Sequence, residues 1–234
     1  MTRETFVDAA THVCLAAVEL GMRAAVWLHR ARGPAGLAVD NLLGVTDELR
    51  RWGTTDECWQ VNPLMVEMRR RLAIVGVTDV QSFYDVGREH GYVGIERLPV
   101  GVPLLDADGW FGTVAYLSEG EASAAVERQF VTLAIEISVW CTARGISTLP
   151  DVRPLAPRQH EVARLAAAGR TNPEIAEELA ISVNTVKLRL KQAFERLGVT
   201  NRTELASVLR RLAPLEGVPP GITHRDGVTI TRAS

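Results

Sequence analysis

Two hydrophobic periods alternate along this chain. Residues 3–31 are rich in Ala, Val and Leu and read as one long helix that Gly33-Pro34 ends. Leu37, Val39 and Leu42 predict strand and turn over 36–48, and 52–56 reads as loop. Asn62-Pro63 opens a helix to about Leu72, since proline is tolerated at the first helical position, and another helix is expected over 79–90. Residues 100–105 and 110–117 are apolar runs around Asp106-Ala-Asp-Gly109, a hairpin signal. A helix returns over 121–144, where Val126, Phe130, Leu133, Ile137 and Trp140 recur at spacings of four and three. Such a stripe packs either on the unit's own sheet or against a second copy, together with 3–31. In the second case Phe130, Leu133, Ile137 and Trp140 form a dimer seam.

Residues 148–154 hold two prolines and read as a linker. Four helix signals follow. Pro157 opens the first, Val162, Leu165 and Ala166 give its apolar side, and Gly169 ends it. Thr171-Asn-Pro-Glu174 starts the second with a capping residue, a proline and an early acid, and Ile175, Ala176 and Leu179 form its apolar face. After the turn at 180–182, Ser182 caps a third helix whose Val183, Val186, Leu190, Phe194 and Leu197 face the core and which Gly198 ends. The fourth covers about 203–212. The remaining tail, 214–234, contains three prolines, three glycines and mixed polar residues, and is expected to be poorly ordered. The organisation expected is therefore 1–147, a linker over 148–154, 155–213, and a tail over 214–234.

Charge sharpens this picture. The whole chain of 234 residues has a net charge of −2, but residues 155–213 hold ten basic side chains and six glutamates, so the remainder is acidic. A basic module joined to an acidic one suits a nucleic-acid reader attached to something else. The chain contains two lysines, Lys187 and Lys191, four residues apart on the third of these helices. That spacing puts both on one helical face. A second helix, a tight turn and a third helix with a basic outer face make a helix-turn-helix. Asn184, Thr185, Lys187, Leu188 and Lys191 point outward on it. A leucine between two lysines is poor surface design unless it meets a thymine methyl in the major groove.

The residues Leu155-x-Pro157-Arg158-x-x-Glu161-Val162-x-x-Leu165, Gly169-x-x-Asn172-x-Glu174-Ile175-Ala176-x-x-Leu179-x-Ile181-Ser182-x-x-Thr185-Val186-Lys187 and Leu197-Gly198-Val199-x-x-Arg202-Thr203-Glu204 closely resemble the LuxR/NarL-type DNA-binding domain. The resemblance covers 155–213. It implies a four-helix fold with the third helix in the major groove of double-stranded DNA. Lys187, Leu188 and Lys191 would then face bases, and Asn172, Asn184, Thr185 and Arg189 would lie near phosphates. Arg189 stands where the family often has histidine. Leu205, Val208, Leu209 and Leu212 of the fourth helix would pack in a DNA-bound homodimer, and RNA polymerase is a candidate partner.

In proteins of this kind the first domain sets the signal. A phosphoacceptor receiver needs a late lysine, and residues 1–150 contain none. The order helix, strands, helices, hairpin, long helix instead resembles a GAF- or PAS-like sensor, close in architecture to autoinducer-binding domains. The stretch 101–115 resembles the central hairpin of GAF-like domains, and Trp59-x-x-Asn62-Pro63 faintly resembles the autoinducer pocket region. The fold class expected is thus α+β, a GAF/PAS-like unit followed by an all-α helix-turn-helix. A small-molecule effector would sit in an apolar cavity, with Trp52, Trp59, Phe83, Tyr84, Tyr92 and Trp110 as candidate liners.

Other classes fit less well. Residues 185–190 also resemble the promoter-reading helix of alternative sigma factors, but 1–150 lacks the basic, aromatic-studded helices that open a promoter. Catalysis has no motif: the five histidines are scattered, and there is no phosphate loop or nucleophile elbow. Cys14, Cys58 and Cys141 lie far apart, without metal spacing, and read as reduced buried thiols. No metal or cofactor is expected. No window reaches the ~20 uncharged apolar residues of a membrane span, so a cytoplasmic protein with no membrane partner is expected.

Overall fold

The computed structural model describes residues 5–30, 35–76, 80–90, 99–107, 109–118, 123–146, 155–212 and 218–233. The chain divides into two compact units, residues 1–149 with 214–234, and residues 150–213.

In the first unit, Thr5 caps helix α1 (Phe6–Glu19). Its hydroxyl accepts the Asp8 amide, and the Asp8 carboxylate accepts the Thr5 amide. The helix ends at Leu20, and Gly21 turns the chain at φ +73° into strand β1 (Met22–His29). The single helix expected over 3–31 is therefore a helix and a strand. Most of β1 is buried on both faces, so it reads as a continuous apolar run, which does not distinguish helix from strand. Strand β2 (Ala35–Asp40) pairs antiparallel with β1.

Three short helices follow, α2 (Asp47–Trp52), α3 (Asp56–Val61) and α4 (Pro63–Arg71), capped by Thr46, Thr55 and Asn62. Strand β3 (Val75–Gly76) and helix α5 (Val80–Glu89) lead to the expected hairpin of β4 (Pro99–Asp106) and β5 (Gly109–Ser118). Helix α6 (Ala124–Ala143) completes this part.

The tail departs most from expectation. Residues 214–234 were expected to be poorly ordered, yet strands β6 (Gly221–Arg225) and β7 (Val228–Arg232) form a hairpin about Asp226-Gly227. Both turn residues have positive φ, 51° and 80°, which Asp-Gly supplies at low cost. Strand β7 pairs with β2, Leu37 to Asp40 against Arg232 to Thr229. The result is one antiparallel seven-stranded sheet in the order β3-β4-β5-β1-β2-β7-β6.

The sheet has two covered faces. One carries Tyr116, which meets Phe130 of α6 at 4.3 Å between ring centroids. On α1, the Cys14 thiol donates to the carbonyls of Ala24 and Val39, and the Asn41 amide reaches the Cys14 carbonyl. Helices α1 and α6 cover this side. The other face packs Trp27 and Ala115 against Leu64 and Met68 of α4. A Cβ at Gly101 would stand 2.7 Å from the Met68 sulfur and 2.9 Å from a Leu64 methyl, so a larger residue there requires these α4 side chains to shift.

Of the two coverings open to the α6 stripe, Phe130 and Ile137 take the unit's own sheet. Phe130 and Ile137 are buried within the unit's own core, and Leu133 and Trp140 are partly buried, with Arg144 over the Trp140 ring at 4.3 Å. The large apolar residues that α6 exposes are Ile135 and Val139, one turn apart. All three cysteines are buried, and burial pushes the Cys58 and Cys141 thiols up to about 12, which leaves little reactive thiolate.

The second unit holds α7 (Pro157–Ala167), α8 (Asn172–Glu178), α9 (Val183–Leu197) and α10 (Arg202–Leu212), each close to its expected bounds. Val162, Leu165, Ile175, Val186, Leu190 and Leu197 are buried together. Leu205 and Val208 join them, and Leu209 and Leu212 pack against them. The face of α10 expected at a dimer contact therefore lies in the domain core, because the other three helices leave an apolar cleft that only α10 closes. Val183, expected inside, is more than a third exposed.

Strand β7 buries Val228 and Ile230 in the first unit. Ile230→Ala is predicted to lower that unit's stability by ~2–5 kcal/mol while the melting of the helical unit stays in place. Calorimetry resolving the two transitions checks this, and an unchanged first transition contradicts it.

Candidate nucleic-acid interface and internal cavity

Helices α8 and α9 are built by local rules. The Thr171 hydroxyl accepts the Glu174 amide at 3.4 Å, and the Glu174 carboxylate accepts the Thr171 amide at 2.7 Å. These bonds hold the exposed Glu174 carboxyl below its usual range. Helix α8 ends at Leu179, and Ala180 makes the turn in the left-handed region at φ 51°. Ser182 then caps α9, its hydroxyl accepting the Thr185 amide at 3.0 Å, and Gly198 ends the helix at φ 63°. Core side chains fix the rotation of α9: Val186, Leu190, Ala193 and Leu197 point inward. The opposite face is consequently set.

That face carries Lys187, Leu188 and Lys191, all exposed, with Leu188 at 56%. Lys191 lies 3.9 Å from Glu195, a solvent-screened pair of little strength. Asn184 is exposed in the first turn of α9, and Arg189 is partly buried. The Thr185 hydroxyl is 2.8 Å from that of Ser182, so it takes part in the cap. Asn172 is already engaged: its side-chain oxygen accepts from the Arg202 guanidinium, which also donates to the Arg170 carbonyl. Arg202 thereby ties the start of α10 to the loop before α8. Sequence reading placed Arg202 within the family pattern but gave it no role. Asn172, Lys187, Lys191 and Arg202 line one open depression of this unit.

The first unit contains a partly enclosed cavity of about 120 Å³ between the sheet and helices α2 to α4. Trp52, an expected liner, is on its wall. Trp27, Asp40, Arg50, Asn62 and Thr231 line it too and were not anticipated as liners. Asp40 and Arg50 form a closed pair. The guanidinium donates to both carboxylate oxygens, at 3.0 and 2.9 Å, and to the carbonyl of Val45 at 2.7 Å. Burial pushes the Asp40 carboxyl up, and the Arg50 bonds and charge pull against it. No spacing rule announces this pair, because its members lie on a strand end and a separate helix.

Trp59 and Trp110 lie elsewhere in the unit, stacked at 4.7 Å and flanking the buried His29 at 4.8 and 4.9 Å. Phe83 and Tyr84 fall in α5, but their side chains, like Tyr92 as a whole, lie outside the described residues. Among the described residues no His, Cys, Asp and Glu cluster has metal-binding geometry, and no helix is long and apolar enough to cross a membrane.

Residues 153–209 match the family described as bacterial regulatory proteins, luxR family. The second unit is thus a luxR-family helix-turn-helix domain, and the chain as a whole has mixed α+β architecture. Among curated proteins, the two-component response regulator PprB of Pseudomonas aeruginosa is 48% identical over 63 residues, 27% of this chain and 23% of that protein. The putative HTH-type transcriptional regulator YhjB of Escherichia coli is 35% identical over 98 residues, 37% of this chain and 49% of its own length. The chain therefore spans less than half the length of these relatives. A solved structure of SdiA in complex with octanoyl-rac-glycerol superposes on 90% of this chain and 88% of its own, at 18% identity and a TM-score of 0.44.

His29 yields a pH prediction. Its Nε2 is 2.8 Å from the Thr113 hydroxyl, its Nδ1 is unpartnered, and burial lowers its pKa from 6.5 to about 3. Between those values the unfolded chain binds the proton and the folded chain does not, so stability falls as pH drops through this window. The loss from this group is about 2 kcal/mol between about pH 7 and pH 5. Denaturant titrations should show that much less acid sensitivity in His29→Gln; equal slopes in the two proteins would contradict the assignment.

Proposed function

We propose that this chain is a DNA-binding transcription regulator that acts as a homodimer in the cytoplasm, with its first unit responding to a small-molecule effector. The observation that carries this reading is the outer face of α9. Two lysines flank an exposed leucine on a helix whose caps and core set its rotation. Inserted in a major groove, Lys187, Leu188 and Lys191 face base edges. Asn184, Thr185 and Arg189 lie at the rim with the phosphates, and Arg202 holds Asn172 beside them. The effector belongs in the cavity of the first unit, where Trp52 and Trp27 supply aromatic walls.

Two reading heads favour an inverted-repeat operator. The proposed dimer contact uses Ile135 and Val139, the large apolar residues that α6 leaves exposed. Recruitment of RNA polymerase is the expected output.

Binding of the full chain to a selected operator, measured by fluorescence anisotropy over a salt series, tests the reading. Lys187→Ala and Lys191→Ala should each cost ~1–3 kcal/mol if the lysine reads a base. A lysine that neutralises a phosphate instead lowers the slope of log affinity against log salt by about 0.9. Leu188→Ala should relax the preference for thymine at one position. Wild-type affinity in both lysine variants would overturn the placement of α9 in the groove.

A further inference from the structure

Two helix starts meet in the open depression that Lys187 and Lys191 also line. Helix α8 begins at Asn172, and α10 begins at Arg202. Each start is fixed by its own cap. On α8 the Thr171 hydroxyl accepts the Glu174 amide, and the Glu174 carboxylate accepts the Thr171 amide. On α10 the Asn201 side-chain oxygen accepts the Glu204 amide at 2.9 Å, and the Glu204 carboxylate accepts the Thr200 amide at 2.7 Å. The two first residues are then joined. The Arg202 guanidinium donates to the Asn172 side-chain oxygen at 2.5 Å and to the Arg170 carbonyl.

That bond settles which end of the Asn172 amide is free. A guanidinium has donors only, so it must face the oxygen of the amide and not its nitrogen. Oδ1 is therefore turned to Arg202. Nδ2 is turned away, with no hydrogen bond to a described residue. Asn172 is half-buried on the wall of the depression. The wall also carries Lys187, Lys191 and Arg202, with a single acid, Glu195, among its described residues. An N–H donor in such surroundings suits an anion whose oxygens only accept, and a phosphodiester is one. Arg202 itself is turned inward: both its Nη groups face protein oxygens.

We propose that Arg202 is a positioning residue for DNA binding: it holds the Asn172 amide so that Nδ2 donates to a backbone phosphate, and it does not touch the phosphate itself. The proposal rests on the DNA-binding reading above and specifies how one backbone contact is aimed. Without Arg202, the amide can turn its oxygen to the phosphate as readily as its nitrogen, and oxygen facing oxygen makes no bond. A phosphate contact sets the protein's register on the duplex without reading sequence, so the loss falls on all sequences alike.

Anisotropy of the full chain on a duplex it selects, and on a random duplex, over a salt series tests this. Asn172→Ala should weaken both duplexes by about tenfold, the worth of one hydrogen bond to a charged group. Arg202→Ala should weaken both by about three- to tenfold, and the double variant should bind no more weakly than Asn172→Ala alone. The slope of log affinity against log salt should keep its wild-type value in each, because no cation leaves a phosphate. Asn172→Asp separates aim from fold. Its carboxylate keeps an acceptor for Arg202, so the melting of the helical unit holds, but it offers no donor, and binding should fall further than in Asn172→Ala. This variant leaves Arg202 in place, so its result stands even if Arg202→Ala fails to fold. A slope lowered by about 0.9 in Arg202→Ala would put the guanidinium on the phosphate and overturn the proposal. Additive loss in the double variant, or wild-type binding by Asn172→Asp, would overturn it too. If the wild type binds no duplex, the regulator reading falls and this proposal with it; if it binds and only the variant pattern is absent, the proposal alone falls.

Discussion

The pairing of β7 with β2 is the constraint on which the first unit depends. Four residues of β2, Leu37 to Asp40, would otherwise present an open edge of N–H and C=O groups beside an already buried strand. The hairpin from the far end of the chain supplies the partners, and Val228 and Ile230 add apolar area under α1. The same pairing decides the chain's organisation. The helix-turn-helix does not hang from one linker; the chain leaves the first unit after α6, forms the four-helix unit, and returns to finish the sheet. Coupling between the two units therefore has two covalent routes.

The second unit shows how a surface is specified from within. Nothing on the outer face of α9 fixes its own direction. The cap at Ser182, the left-handed turn at Ala180 and the inward side chains of Val186, Leu190, Ala193 and Leu197 do so. Lys187, Leu188 and Lys191 then stand on one fixed face of α9, and Arg202 holds Asn172 to the start of α10. The chemistry on the outside thus follows from packing inside.

Much of this was legible in the sequence where each local signal had one reading. The bounds of α7 to α10 followed from proline, capping and glycine positions, and the β4–β5 hairpin from Asp-Gly between apolar runs. Where one pattern serves two structures, reading stopped. The run 22–29 is buried on both sides, so its lack of alternation hid a strand beneath a helical interpretation. On α6 and α10 the apolar stripes were visible, but a stripe does not say whether the same chain or another copy covers it; Phe130, Ile137, Leu205 and Val208 are covered by their own units. The tail was misjudged for another reason. Asp226-Gly227 between Ile222, His224 and Val228, Ile230 is the same hairpin signal that identified β4–β5, but nearby prolines and glycines outweighed it. The Asp40–Arg50 pair and the lining residue Thr231 left no local trace, because only the tertiary fold brings them to one cavity.

The central claim is that α9 reads DNA sequence. Selection of bound fragments from random double-stranded DNA by the full chain tests it most directly. The account predicts enrichment of an inverted repeat whose half-sites are centred about one helical turn apart, or a multiple of it, and loss of that enrichment when Lys187 and Lys191 are both alanine. Sequence-independent recovery by the wild type, or the same repeat recovered by the double variant, would contradict it.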